Sequence, residues 1–221
     1  MPYLRGRDIR RYGFNHEDLW LIFTRRGIDI EQYPFVKKYL GQLKEKLTPK
    51  NNGEKIGRKP GPYQWYEIQD SVAYYPSFRE EKLVYAETMR IHKSDTSNFP
   101  RFGYDDQEYY CDKTTFIATG KNIKFLLGIL NSKVGNYLIR EYVTKLDTGG
   151  YMMQKVFLEK IPVIEPPFDE EVTISVEKIL SVKKENPAAD TSSLEAEIDQ
   201  LVYRLYGLTE EEIGIVEGSV E

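Results

Sequence analysis

The chain has 221 residues, of which 40% are hydrophobic and 30% are charged, and its formal net charge is −4. This length permits one substantial core, alone or with a small helical appendage. Apolar runs stay far below the roughly 20 residues of a bilayer span, no secretory signal is recognisable, and Cys111 is the single cysteine. The composition therefore excludes a membrane span and an internal disulfide, and it predicts a protein of the reducing cytoplasm.

Charge is distributed unevenly along the chain. Residues 1–163 hold 27 Lys and Arg against 20 Asp and Glu, whereas residues 164–221 hold 4 against 15. The basic excess lies within residues 1–62, where 14 basic residues accompany 7 acidic ones. Since affinity for a polyanion comes from local cationic patches, a nucleic-acid partner is compatible with the negative total. The acidic tail is expected to stay away from phosphate.

The first half of the chain predicts short strands and one helix. Four aromatic or β-branched runs are bounded by turn residues and favour strands: Asp18–Phe23, Ser71–Tyr75, Lys82–Ala86 and Thr114–Ala118. Pro34 suits a first helical turn, and apolar residues recur at helical spacing behind it, which predicts a helix over 34–47. The Gly- and Pro-rich segment 50–62 is expected to be a loop that is mobile without a ligand.

The second half predicts mainly helices. An apolar stripe runs through residues 122–143 at 3.6-residue spacing and predicts one long helix that packs on the sheet. Beyond Pro162, three further helices are predicted at about 169–184, 193–206 and 210–217, with an apolar face that needs a surface to cover. The expected fold class is α+β: a mixed or antiparallel sheet with a long packing helix in residues 1–163, and a C-terminal helical appendage in 164–221.

Two patterns have the residue types of catalytic sites. Glu165-Pro166-Pro167-Phe168 is similar to the Asn/Asp-Pro-Pro-aromatic tetrad with which amino-methyltransferases hold a flipped base. Its first residue is Glu and no Gly-rich cofactor loop precedes it, so a proline-rich linker is favoured. Asp70, Glu80 and Lys82 have the acidic-x-Lys chemistry of metal-dependent nucleases, although such triplets are frequent in a highly charged chain. Two histidines are too few for a His/Cys zinc site.

Clustered arginines and aromatics predict DNA binding. Arginine clamps phosphate or the guanine edge with two hydrogen bonds, while aromatic rings stack on bases or pack against the sugar backbone. The residues with this chemistry are Arg5, Arg7, Arg10, Arg11, Arg25, Arg26, Arg58, Lys59, Tyr63, Trp65 and Tyr66. Because Trp65 and Tyr66 alternate in a strand-like run, one of the two is expected in the core instead.

Four segments in a fixed order resemble a known family. They are Leu4–Ile9 (LRGRDI), Tyr63–Glu67 (YQWYE), Leu126–Ser132 (LLGILNS) and Leu158–Val163 (LEKIPV). The series resembles the TaqI-like specificity domain of DNA adenine methyltransferases and single-chain restriction-modification enzymes, from about residue 2 to 163 and again at 197–217. Membership would make this chain a non-catalytic module that reads double-stranded DNA for a linked or associated methyltransferase domain.

The resemblance also implies particular residues and a cofactor. It points to Arg58, Lys59, Gln64 and Arg90 as DNA contacts, with Lys93 and Arg101 as second choices. S-adenosylmethionine is implied for the complete enzyme, but no residue here is assigned to it. The family landmarks at Asn131-Ser132 and Thr148–Tyr151 are interpreted as scaffolding.

Two other functions remain open at this stage. One is a metal-dependent nuclease using Asp70, Glu80 and Lys82. The other is a protein-docking module that lays its acidic helical tail across a partner.

Overall fold

A computed structural model of the chain describes residues 1–51, 53–91, 98–147, 149–164 and 170–220. The strands are β1 (Tyr3–Leu4), β2 (Ile9–Arg10), β3 (Gly13–Phe14), β4 (Lys82–Ala86), β5 (Thr88–Met89), β6 (Phe102–Asp105), β7 (Tyr110–Cys111), β8 (Thr115–Thr119) and β9 (Tyr151–Met152). The helices are α1 (Pro34–Gly41), α2 (Lys44–Leu47), α3 (Ile123–Asn131), α4 (Lys133–Tyr142), α5 (Lys155–Leu158), α6 (Glu170–Glu185), α7 (Ser192–Tyr206) and α8 (Glu210–Val220). The α+β class is confirmed.

The chain forms two compact units. One comprises Met1 and Trp20–Ser77, and we call it the aromatic unit because of its exposed rings. The other comprises Pro2–Leu19 and Phe78–Glu221, and we call it the sheet unit. The C-terminal helices belong to the sheet unit, so the compact units divide the chain at positions other than residue 163. None of the helices in the described ranges combines the length and apolar character of a membrane span.

A three-stranded antiparallel sheet lies at the centre of the sheet unit. Its order is β6-β4-β8, with Val84 of β4 opposite Gly103 on one side and Ile117 on the other. Every residue of β4 is buried, as expected for a central strand covered on both faces. The predicted strands at Lys82–Ala86 and Thr114–Ala118 are thereby confirmed, the latter shifted by one residue. Around the sheet, β1 pairs in parallel with β7, and β2–β3 and β5–β9 pair antiparallel.

The other two predicted strands are wrong. Asp18–Phe23 forms no named strand, although Leu21 exchanges backbone hydrogen bonds with Met1. The run 71–75 turns into a 3₁₀ helix at Tyr75–Arg79, where the amide of Tyr75 donates to the carbonyl of Val72 at 3.1 Å. Its aromatic residues pack locally instead, since the Phe23 and Tyr75 rings lie 5.9 Å apart. A run rich in aromatic residues can form a strand or such a local contact, and composition alone does not distinguish the two.

The long helix predicted at 122–143 is two helices. Ser132 separates α3 from α4 in an extended conformation, and its hydroxyl accepts a hydrogen bond from the amide of Gly135 at 3.1 Å, which caps α4. A side chain at Gly135 would lie 2.2 Å from the carbonyl oxygen of Ile129, so the turn requires glycine. The apolar spacing continues through the break, which is why periodicity did not reveal it. The helix predicted at 34–47 is likewise divided into α1 and α2.

The three predicted tail helices are confirmed as α6, α7 and α8. The amide of Thr209 donates to the Glu212 carboxylate at 2.8 Å and the amide of Glu212 donates to the Thr209 hydroxyl at 3.3 Å, so a capping box forms at the start of α8. The apolar side of α6 packs on α3, where a Cβ at Gly128 would lie 2.7 Å from Val172. On α7, Ile198 and its apolar neighbours are buried in the same core. The tail therefore covers the outer face of α3.

Candidate nucleic-acid interface

Four of the predicted arginines line one cleft of the sheet unit, with a volume of about 540 Å³. Arg7 lies in the 3₁₀ turn Gly6–Asp8, Arg10 ends β2, Arg90 follows β5 and Arg101 precedes β6. Two of the arginines lie in residues 7–10 and two in residues 90–101, and the packing of β2 against β4 and β6 brings the two segments together. Among the described residues of the lining, Glu87 is the one carboxylate, and Arg7 also lies 3.5 Å from the carboxylate of Glu17. The described lining therefore has an excess of positive charge.

Backbone carbonyls orient two of these guanidinium groups. Arg10 donates through Nη1 to the carbonyls of Arg7 at 2.7 Å and Ile9 at 2.9 Å. Arg101 donates through Nη1 to Asn98 at 2.9 Å and through Nη2 to the carbonyl of Arg90 at 3.1 Å. A carbonyl acceptor positions a guanidinium without contributing a formal negative charge, and at Arg10 the remaining N–H groups keep the fork geometry that fits phosphate or a guanine edge.

Arg5 and Arg11 are used inside the protein instead. Arg5 binds the buried carboxylate of Asp8 with two hydrogen bonds of 3.0 and 2.9 Å and contacts Glu17 at 2.6 Å. The Arg11 side chain is only 17% exposed, and it joins Glu195 of α7 to the carbonyl of Asn131. Both were predicted as DNA contacts. Because carboxylates and burial occupy them, the structure favours roles in holding the fold, and we leave them outside the interface.

Several residues of the aromatic unit that were predicted to contact DNA also bind other parts of the protein. Arg58 donates to the carbonyls of Leu47 at 2.5 Å and Trp65 at 3.1 Å, and its guanidinium lies 4.7 Å from the centre of the Tyr63 ring. Tyr63 is only 5% exposed, and its hydroxyl donates to the carbonyl of Lys59. Tyr63 is therefore a core residue of this unit, and Arg58 joins its segments.

Glu67 is a buried residue that the sequence interpretation treated only as part of a family segment. Its carboxylate accepts hydrogen bonds from the amides of Gly27 at 2.6 Å and Gln64 at 2.8 Å. Buried carboxylates are expensive unless hydrogen-bonded, so these two bonds fix the Tyr63–Glu67 segment to the preceding loop. The sequence signal for this buried contact was the acidic residue at the end of the aromatic run, Glu67.

The remaining predicted residues have mixed surroundings. Trp65 and Tyr66 are both half-buried and meet edge to face, 5.5 Å apart. Neither is a fully buried core residue, contrary to the expectation for one of them. Arg25 lies 5.6 Å from the centre of the Tyr75 ring, and Arg26 is half-buried at a similar distance from Tyr63. The exposed members of the set are Arg25, Lys59 and Gln64. Lys93 and the Glu165–Phe168 tetrad lie outside the described residues.

The residues of the nuclease alternative do not form a metal site. Lys82 is completely buried and forms a 2.7 Å ion pair with the equally buried Asp105, a partner that the sequence did not reveal. Its ammonium also donates to the carbonyl of Phe78 at 2.6 Å. A lysine sealed in this way cannot activate a nucleophile in solvent. Within the described ranges, no three His, Cys, Asp or Glu residues form a group suited to a metal ion.

The family landmarks have structural roles. Asn131 is buried, and its side-chain amide accepts from the Phe102 amide at 3.0 Å and donates to the Phe102 carbonyl at 2.9 Å, which joins α3 to β6. Gly150 has a φ of +115°, and a Cβ there would lie 2.4 Å from the carbonyl oxygen of Met89. Gly150 therefore makes a close backbone approach to Met89. Thr148 lies outside the described residues.

The turn from β8 to α3 joins a strand to a helix, the position that a nucleotide-type cofactor loop occupies. Between β8 and α3, the turn carries the single glycine Gly120, whereas loops that bring backbone close to a nucleotide cofactor use several glycines before a helix. We therefore assign no residue to S-adenosylmethionine.

The sequence matches the TaqI-like C-terminal specificity domain over residues 1–163, and the chain belongs to that family. The resemblance shown by the four ordered segments is thereby confirmed. Family membership supports DNA recognition on behalf of methyltransferase or restriction enzymes, and it suggests a non-catalytic portion of such an enzyme.

Proposed function

We propose that the chain reads double-stranded DNA sequence for a DNA adenine methyltransferase or restriction-modification enzyme. It would position the target adenine for a methyltransferase domain that is linked to it or associated with it. The observation that carries this proposal is the convergence of Arg7, Arg10, Arg90 and Arg101 on one cleft. Family membership indicates DNA as the partner, and the cleft provides a surface with the required charge.

In this mechanism, the free energy of DNA binding serves to position the target adenine for the partner domain. Guanidinium groups on the cleft hold phosphates, which sets the register of the module on the duplex, and a subset discriminates base edges. The partner domain extrudes the adenine from the stack and carries out methyl transfer with its own S-adenosylmethionine. This chain contributes no bond-making group to that reaction.

The protein-docking alternative finds less support. An α-helical tail that docks on a partner needs a free apolar face. Here Val172 and Val176 of α6 and Ile198 and Val202 of α7 are fully buried within the sheet unit. The buried apolar sides of α6 and α7 are therefore used inside the chain, and the exposed large apolar residues in the described part of the tail are Ile174 and Val182 on α6 and Ile215 on α8.

Selection of duplexes from a random pool by the full chain tests the proposal. The selected duplex should then bind with strong salt dependence, because phosphate contacts release counterions. We expect Arg7→Ala and Arg90→Ala each to weaken binding by about 1–3 kcal/mol if the side chain reads a base, or to lower the salt slope by about 0.9 if it contacts a phosphate.

Arg204→Ala is the matched control. Its side chain is 67% exposed, against 68% for Arg7, and each of the two pairs with one glutamate, but Arg204 lies on α7 and does not line the cleft. We expect it to leave affinity unchanged. Failure of the wild-type chain to enrich any duplex, or equal losses for Arg7→Ala and Arg204→Ala, would overturn the proposal.

A further inference from the structure

Helix α1 of the aromatic unit exposes two aromatic and two polar side chains on one side. Phe35 is 86% exposed and Tyr39 is 54% exposed, although large apolar side chains of this kind usually lie inside. Lys38 and Gln42 are exposed as well. The four residues occur at i, i+3, i+4 and i+7, so they lie along one side of the helix. We call them the α1 face.

The opposite side of α1 holds the helix in place. Val36 and Leu40 are half-buried, and the helix packs against the 3₁₀ turn Ile30–Gln32, whose first residue is 97% buried. Lys37 forms an ion pair with Glu31 of that turn. Pro34 occupies the first helical turn. The side of α1 opposite the α1 face therefore packs on the neighbouring turn, and this packing leaves the aromatic rings of the α1 face in solvent.

Charge indicates the class of partner. Residues 34–50, which include α1 and α2, contain five lysines and one glutamate. An apolar patch with several lysines close by in the sequence is suited to a polyanion, because each lysine that approaches a phosphate releases counterions. A protein partner would need a matching acidic surface, whereas duplex DNA supplies phosphates on both sides of a groove.

The side chains of the α1 face have the chemistry of groove reading. The major groove of B-DNA admits an α-helix, glutamine forms paired hydrogen bonds with adenine, and lysine donates to the acceptors of guanine. Apolar groups make contact with the thymine methyl group. Lys38 and Gln42 supply the donors, while Phe35 and Tyr39 supply apolar area and rigid rings.

We propose that α1 is a second DNA-reading element, which enters the major groove with the α1 face. Lys38 and Gln42 contact base edges, and Phe35 and Tyr39 fill the groove beside them. This inference rests on the proposed function, since it takes the duplex as the partner. It assigns sequence discrimination to residues outside the arginine cleft and outside the family segments.

The test uses the full chain and the duplex selected from the random pool. Phe35→Ser, Tyr39→Ser and Gln42→Ala should each weaken binding by roughly tenfold, while Lys38→Ala and Gln42→Ala should also relax the selected motif at one position each. The matched controls are Tyr142→Ser, at a tyrosine that is 43% exposed at the end of α4, and Lys178→Ala, at an exposed lysine of α6. Urea unfolding verifies that each variant is folded.

The outcomes separate this inference from the proposed function. If the cleft variants lose affinity while all four α1 variants bind and select as the wild type does, the α1 proposal is overturned and the proposed function stands. If the wild-type chain binds no duplex, both fail. If Phe35→Ser instead abolishes concentration-dependent self-association and leaves DNA affinity unchanged, the α1 face serves a protein contact and the proposal is also overturned.

Discussion

The two compact units use their large apolar residues in opposite ways. In the sheet unit, Leu83, Leu127 and Ile198 are fully buried in one continuous core. In the aromatic unit, Phe35 is 86% exposed and Trp20 is 67% exposed. Buried side chains stabilise the fold, while exposed rings add little to stability and much to binding area. The sheet unit is therefore interpreted as the stable support and the aromatic unit as a surface for a partner.

The largest effect should come from the buried ion pair of the sheet unit. Asp105→Ala leaves the Lys82 ammonium buried without its counterion, and the amides of Gln107 and Tyr109 lose their acceptors. We expect a loss of about 3–5 kcal/mol in the free energy of unfolding, measured by urea denaturation. Glu159→Ala breaks the exposed 3.2 Å pair with Lys155 and should cost less than about 1 kcal/mol. Wild-type stability in Asp105→Ala would contradict the prediction.

A truncation in each unit compares the two directly. Leu127→Ala opens a cavity in the core of the sheet unit and should cost about 2–5 kcal/mol. Phe35→Ala removes a ring that is mostly in water and should change stability by no more than about 0.5 kcal/mol. Calorimetric or urea unfolding measures both. Similar losses for the two variants would show that the ring of Phe35 is packed, and the contrast between the units would be lost.

Two glycine substitutions should change the free energy of unfolding in opposite directions. Gly150→Ala places a methyl group 2.4 Å from the Met89 carbonyl oxygen at a φ of +115°, so we expect a loss of about 1–3 kcal/mol. Gly41→Ala lies at the end of α1, where the added methyl group meets no atom within 4 Å. Because alanine favours helix, stability should rise by about 0.5–1 kcal/mol. The pair is compared by thermal unfolding, and a stabilised Gly150→Ala would refute the close approach.

The smallest effect concerns thiol reactivity. Burial raises the pKa of Cys111 to about 12. The native thiol keeps its proton where the unfolded one loses it, so stability should fall as pH rises from the ordinary thiol pKa towards 12. At pH 8, alkylation of native Cys111 should be slower than in urea, because less of the native thiol is ionised. A thiol introduced by Phe35→Cys, in the aromatic unit, should react at nearly the unfolded rate. Equal native rates at the two positions would be the contrary result.

The local pattern of the sequence determined several elements. β4 and β8 are confirmed, because their β-branched and aromatic runs form neighbouring strands of the main sheet, and the tail helices are confirmed because helical periodicity is a local signal. The four ordered segments determined the family, and side-chain chemistry singled out Arg7, Arg10, Arg90 and Arg101 before the structure placed them in one cleft.

Only the tertiary structure decided which candidates are available to a partner. Arg7 and Arg11 have the same chemistry and nearly the same position in the chain, but Glu195 of α7 binds Arg11 and leaves Arg7 at the surface. Likewise, Asp105 withdraws Lys82 from solvent, and Ser132 divides a helix whose apolar spacing is unbroken. Sequence periodicity reports neighbours along the chain, whereas burial and ion pairing depend on residues that meet only when distant segments pack together.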